Sequence, residues 1–468
     1  MPGLEWHGAS EQSELGLNGE DTLGRQCENT AATARMTNMM PVLNGILPTH
    51  LQEKGEEESL DIRNGISQRS ESGAIPHKKK VCILSIDGGG MRGIIPGRAL
   101  AYLEEALQRK ANNKDARIAD YFDIAAGTSI GGILATMLFT AGRDGKPLFT
   151  GEETWRLIAE KGKQIFRIPK TQQAWAKLRG VVTPRYSTKY LEALLKQYLV
   201  RDNSPLTLRD TLKPMLIPCY NLETAGSFLF SRAWALIDEK WNFNLWEICH
   251  ATSAVPSYFK PAKMRSTNGV TSCTAVDGGL TMNNPTAAAI THVLHNKVEF
   301  PGVEGTRDML VLSLGTGQFD QKYDYGQVRH WGAFQWATPV VKIVLDGISD
   351  MVDHTVSMSF GDLHKQYLRV QVSGLPGKAL KEMDDGRMSN VKKLVKLADE
   401  MLDSPCMEHL PYGGRSEIEN TSNRDRLDWF AEQLILEHQA RGSRTAFSEI
   451  PLPDSPSLLE SPVPPVPL

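Results

Sequence analysis

Gly127-Thr128-Ser129-Ile130-Gly131 is a Gly-x-Ser-x-Gly pentapeptide. Between a strand and a helix, such a pentapeptide holds its serine on a strained turn, because only glycine tolerates the close backbone contacts on either side. The Ser129 hydroxyl then projects as a candidate nucleophile. To attack a carbonyl it needs a base for its proton and donors for the oxyanion. Upstream, Asp87-Gly88-Gly89-Gly90-Met91-Arg92-Gly93 follows an apolar run. The unhindered N–H groups of Gly88, Gly89 and Gly90, placed ahead of a helix N-terminus, can converge on a developing negative charge. Arg92 either reinforces that charge or holds the loop.

Gly88, Gly90 and Gly93 also satisfy Gly-x-Gly-x-x-Gly, the dinucleotide pattern. That fingerprint requires a second strand ending in an acid about 20 positions on. Here the region is the polar turn Arg109 to Asp115, so no dinucleotide cofactor is expected.

For the base, the sequence leaves two arrangements. A Ser–Asp–His order can be assembled from Ser129, Asp277 and either His292 or His295. Both histidines follow an Ala-rich helical stretch and read as surface or packing residues, as does His250 inside an apolar helix. Asp277 ends a strand before Gly278-Gly279, which suits a two-residue Ser–Asp system. Desolvation raises a carboxyl from its usual pKa of about 3.9 towards that of a working base. The plainer reading of Asp277 is a turn former before two glycines.

These motifs need elements to hold them. Val81 to Ile86 is a short β-branched apolar run, expected as a strand buried on both faces. The glycine loop follows it, and then a helix from about Pro96 to Lys110 with Leu100, Leu103 and Leu107 at helical spacing. Tyr121 to Ala126 reads as the next strand and Gly131 to Thr140 as an apolar helix under the serine turn. Ser187 caps a helix with Leu191, Leu194, Leu195, Tyr198 and Leu199 on one stripe, read as core. Strands at Leu216–Asn221, Ser227–Arg232, Ala275–Asp277 and Met309–Leu314, with helices between, favour an α/β fold with a parallel sheet covered on both faces.

Composition excludes several functions. Lys plus Arg is 52 against 55 for Asp plus Glu, a net charge of -3, so no global field favours nucleic acid. Six scattered cysteines show no zinc spacing and read as reduced thiols. No acidic loop has calcium-ligand spacing, and no metal or cofactor is expected. No apolar run reaches the roughly 18 residues of a bilayer crossing, and the start lacks the marks of a signal or transit peptide. Residues 1–79 are expected as a disordered leader, 373–450 as a mostly helical extension and 451–468 as a Pro/Ser-rich disordered tail. Between 161 and 185, basic residues interleave with Ile165, Phe166, Ile168, Trp175 and Leu178. That pattern suits either a lipid-surface patch or a packed connector.

The three motifs around Gly88-Gly89-Gly90, Ser129 and Asp277, in that order, resemble the patatin-like phospholipase family of lipid acyl hydrolases. The likeness extends through Leu314-Gly315-Thr316-Gly317 and covers roughly residues 81 to 370, within an expected catalytic domain at 80–372. Ala275 to Asn296 is similar to plant patatin-related members. The resemblance implies a three-layer α/β/α sandwich and hydrolysis of fatty acyl esters of phospholipids or galactolipids without a metal. It implies a dyad of Ser129 as nucleophile and Asp277 as base. It also implies an oxyanion hole from Gly88, Gly89 and Gly90 with Arg92 beside it, and Gly93, Gly127, Gly131, Gly278 and Gly279 as motif glycines. A cytoplasmic enzyme that visits membrane lipids transiently is the expectation. The alternative is a lipid-binding or storage protein with a vestigial site.

Overall fold

The computed structural model describes residues 79–168, 183–318, 323–372, 383–409 and 415–442. The expected leader except Lys79, the expected tail and residues 169–182 of the basic segment lie outside them.

Eight strands form the main sheet. They are β1 (Val81–Ile86), β2 (Ile124–Gly127), β3 (Met215–Asn221), β4 (Gly226–Ser231), β5 (Ala262–Arg265), β6 (Ser272–Asp277), β7 (Met309–Leu314) and β8 (Tyr367–Val370). Their order is β8-β7-β1-β2-β3-β6-β5, with β4 also on β3. The pairs from β8 through β3 are parallel, and those of β4, β5 and β6 are antiparallel. The strand expected at Tyr121 to Ala126 starts later, at Ile124, because Ile118–Tyr121 closes a helical turn first.

Side chains alternate between two cores, as the period of a pleated strand requires. Cys82, Leu84 and Ile86 of β1 and Leu310, Leu312 and Leu314 of β7 face one side. Ile83, Met309 and Val311 face the other. On the first side pack α1 (Ile94–Lys110), α2 (Ile130–Phe139), α3 (Gly151–Ile165), α4 (Thr188–Tyr198) and α5 (Leu245–Thr252). On the second pack α6 (Thr286–His295) and α7 (Ala333–Phe360). The first layer is completed by α8 (Met388–Asp403) and α9 (Asn423–Gly442), both against α1. The result is an α/β/α sandwich around a mainly parallel sheet.

Two strands share one edge of β3. β4 pairs along the other edge, from Leu216 to Asn221. β2 runs parallel to the start of β3, with Ala126 opposite Leu216. β6 runs antiparallel to its end, with Asp277 opposite Cys219. The C-terminal ends of β2 and β6 therefore point at each other across a short gap. Pro218 sits at that gap, its carbonyl accepting the Thr252 hydroxyl at 2.7 Å. In a strand the N–H and C=O of one residue face the same edge, so the N–H that proline lacks would also have faced the gap. A proline is thus tolerated in a central strand because no ladder bond is lost.

Candidate active site

The gap between the two strand ends holds the residues that the sequence singled out. Ser129 is the hinge between β2 and α2, with φ 54° and ψ −122°. A non-glycine residue in this region carries about 1–3 kcal/mol of strain, which the surroundings must hold in place. Two contacts do so. The Ser129 N–H donates to Thr252 Oγ1 at 2.9 Å, and the Ile133 N–H donates to the Ser129 carbonyl at 3.1 Å. A side chain on Gly131 would collide with the carbonyls of Ile86 and Asp87, so α2 can begin this close to β1 only with glycine there. Gly127 packs on the Gly131 backbone in turn.

Asp277 is 4% exposed. Its Oδ1 accepts the Gly279 N–H at 2.6 Å, while Oδ2 has no hydrogen-bond partner among the described residues. Burial pushes the carboxyl up to about 7; the Ser129 hydroxyl and the Gly279 N–H pull in the opposite direction without overcoming it. Gly278, the other glycine of the motif, packs on the Pro218 carbonyl.

The glycine loop after β1 lies against the serine: a side chain on Gly88 would stand 3.3 Å from Ser129 Cβ. Its three N–H groups are not equivalent. Gly88 donates to the Asn283 carbonyl at 3.1 Å. Among the described residues, neither Gly89 nor Gly90 donates a backbone hydrogen bond. Gly90 has φ +58°, and a side chain there would strike the Met383 carbonyl. Gly93 packs on Ile130. Arg92 is buried, donating from Nη1 to the Gly317 carbonyl at 2.8 Å and from Nε to the Gly89 carbonyl at 3.5 Å. Burial lowers it to about 10, against the charges of Asp346 and Asp87, so it remains cationic near neutral pH. Of the two roles open to it, the geometry matches the one that holds the loop.

Below the loop, Asp87 makes a buried bidentate pair with Arg369 at 2.9 and 2.6 Å. Burial pushes Asp87 up while Arg369 draws it down. Burial also lowers Arg369, but Asp87 and Asp353 hold it above its usual value, which keeps it charged.

From Ser129 a slot opens into the first core, lined almost wholly by apolar side chains. Ile133 and Met137 of α2, Leu157 and Ile165 of α3, and Leu191, Leu194 and Leu195 of α4 form its walls. Gly90, Met383 and Ser129 also line it. The α4 stripe read as core is therefore also the slot wall. Ile165 and Phe166, apolar members of the basic segment, face the same slot.

The histidines stand elsewhere. His292 lies 3.4 Å from Glu299, and His250 lies 3.7 Å from Glu192. Neither contacts Ser129 or Asp277 among the described residues.

Residues 84–290 match the family model described as patatin-like phospholipase. Patatin-like protein 6 of Arabidopsis thaliana is 48% identical over 85% of this chain and 79% of its own. Patatin-like protein 7 of the same plant is 48% identical over 80% of this chain and 76% of its own.

The chain belongs to the patatin-like phospholipase family.

Membership carries lipid acyl hydrolysis as the general activity of the family. Another Arabidopsis relative, 40% identical over 81% of this chain and 92% of its own, is named probable inactive patatin-like protein 9. The roles of three residues were not visible in the sequence: Thr252 under the serine, Met383 over the glycine loop, and Thr316, whose hydroxyl donates to the Gly88 carbonyl at 2.6 Å. Gly315-Thr316-Gly317 was visible as a motif without a role. Thr252 carried no signal beyond its place at a helix end.

Proposed function

We propose that this chain is a serine-dependent acyl hydrolase of the phospholipase A type, acting on fatty acyl esters of phospholipids or galactolipids through a Ser129–Asp277 dyad. The observation that carries this reading is the buried Asp277 carboxyl, with an unpartnered Oδ2, beside a strained serine at the mouth of an apolar slot. A fatty acyl chain enters the slot and sets its ester carbonyl against Ser129. Ser129 Oγ attacks the carbonyl carbon while Asp277 takes its proton. The oxyanion is met by the N–H groups of Gly89 and Gly90. As the tetrahedral intermediate collapses, the alkoxide of the leaving lyso-lipid receives that proton from Asp277. The serine is left acylated. Water then attacks the acyl-enzyme with Asp277 again as base, releasing the fatty acid and restoring Ser129.

A carboxyl poised near pH 7 suits both directions of proton transfer. The enzyme works at membrane surfaces, reaching them transiently from the cytoplasm; among the described residues no helix is long and apolar enough to cross a membrane. Hydrolysis of a short-chain acyl ester by the wild-type chain and by Ser129→Ala and Asp277→Asn tests the assignment. Loss of activity in both variants is expected, and full activity in Ser129→Ala would end it.

The name of the 40% identical relative, probable inactive patatin-like protein 9, favours one second reading, a lipid-binding protein with a vestigial site. Retention of Ser129, Asp277 and the slot in one arrangement supports the hydrolase instead.

A further inference from the structure

The two donors left uncommitted in the glycine loop belong to two successive peptide groups, Gly88–Gly89 and Gly89–Gly90. All peptide bonds described are trans, and in a trans peptide the C=O and N–H point in opposite directions across one plane. Holding a carbonyl therefore aims the N–H of the next residue. The Gly88 carbonyl accepts the Thr316 hydroxyl at 2.6 Å. The Gly89 carbonyl accepts the Arg92 N–H at 3.2 Å, with Arg92 Nε at 3.5 Å. Each peptide is thus held by its carbonyl, which fixes the direction of its N–H.

Thr316 is itself fixed. It is 3% exposed, and it packs so closely on Gly89 that any side chain there would overlap it. Its neighbours are tied to the sheet edge: the Gly315 N–H donates to the Val370 carbonyl at 2.9 Å, and the Gly317 N–H to Gln371 Oε1 at 2.6 Å. Arg92 bridges both loops, from the Gly89 carbonyl to the Gly317 carbonyl.

We infer that Thr316 is a positioning residue for the oxyanion site, its hydroxyl fixing the Gly88–Gly89 peptide so that the Gly89 N–H meets the transition-state oxygen. This rests on the acyl-hydrolase reading above. It gives the Gly315-Thr316-Gly317 loop, which touches neither Ser129 nor Asp277 among the described residues, a part in catalysis. Losing the hydroxyl frees the peptide to rotate, weakening a contact made in the transition state more than in the ground state. Removing one oxyanion donor outright costs roughly a hundredfold to a thousandfold in kcat; loosening one should cost roughly ten- to a hundredfold.

The test is steady-state hydrolysis of a soluble short-chain acyl ester by wild type, Thr316→Val, Thr316→Ala, Thr316→Ser and Ser129→Ala, with thermal midpoints recorded alongside. Thr316→Val and Thr316→Ala should lose kcat by roughly ten- to a hundredfold with KM nearly unchanged. Thr316→Ser, which keeps the donor, should stay within about threefold of wild type. Wild-type kcat in folded Thr316→Val or Thr316→Ala, or a Thr316→Ser variant as impaired as they are, overturns the inference. So does failure of both Thr316→Val and Thr316→Ala to fold, which would assign the hydroxyl to stability. Retained activity in Ser129→Ala would instead overturn the acyl-hydrolase reading, so the two failures are distinguishable.

Discussion

Ser129 and Asp277 face each other from the ends of two strands that share one edge of β3 and run in opposite directions. β2 ends at Gly127 opposite the start of β3, and β6 ends at Asp277 opposite Cys219. The proposed dyad needs its base beside its nucleophile, and a head-to-head break brings the two together from two rigid elements. The buried setting then raises the Asp277 pKa.

The first prediction concerns pH, and it has opposite signs for rate and stability. As the proposed base, Asp277 must be ionised, so kcat/KM should rise with pH and reach half its plateau near the carboxyl's value of about 7. Stability runs the other way. A folded pKa raised above the unfolded value means that the native state binds more protons, so burial of this group costs stability as pH rises from about 4 to about 7. Asp277→Asn should lose about a thousandfold in activity. Its melting temperature should exceed that of wild type at pH 8, with the difference shrinking towards pH 4. Calorimetry across that range checks the sign.

The second concerns Thr252, which accepts the Ser129 N–H and donates to the Pro218 carbonyl. Thr252→Val leaves two buried backbone groups unmatched, at about 1–3 kcal/mol each, and releases the strained serine. A fall in kcat of roughly ten- to a hundredfold is expected, largely restored in Thr252→Ser. Equal kcat in the valine variant would remove Thr252 from the serine's support.

Part of this site is legible in the sequence. Glycine spacing announced the tight approaches at Gly127, Gly131 and the Gly88–Gly90 loop, because glycine is chosen for local backbone reasons. The sandwich was legible from apolar runs and their intervening helices. Thr252 and Thr316 were not, since each acts through one hydroxyl on a residue 123 or 228 positions away, and nothing local distinguishes it from any buried threonine. The stripe at Leu191, Leu194 and Leu195 was seen but read as core alone. The wall of a lipid slot and the wall of a core have the same side chains.

That slot yields the third prediction. Leu194 is half-buried on its lining, so Leu194→Trp should narrow the slot with little harm to the core. The kcat/KM ratio for a long-chain ester over a short-chain one should fall about tenfold, within the range one pocket change supports. An unchanged ratio would place the acyl chain elsewhere.

The fourth concerns the ion pair under the glycine loop. Arg369→Met strands the buried Asp87 and Asp353 carboxylates and should cost about 3–5 kcal/mol in urea unfolding. Adding Asp87→Asn should recover part of that loss, because one of the two uncompensated charges is gone while Asp353 remains. A double variant no more stable than the single would show that the arginine acts through packing instead.

Hydrolysis through the proposed dyad requires that Ser129 be activated where it stands. Reaction of the full-length chain with a fluorophosphonate, followed by peptide mass spectrometry, tests this directly, since the reagent phosphonylates an activated serine and spares ordinary ones. A single adduct on Ser129, forming faster as pH rises through 7 and slowed about a thousandfold in Asp277→Asn, is the predicted result. A folded wild-type chain with no adduct at Ser129, or labelled equally fast without Asp277, would contradict it.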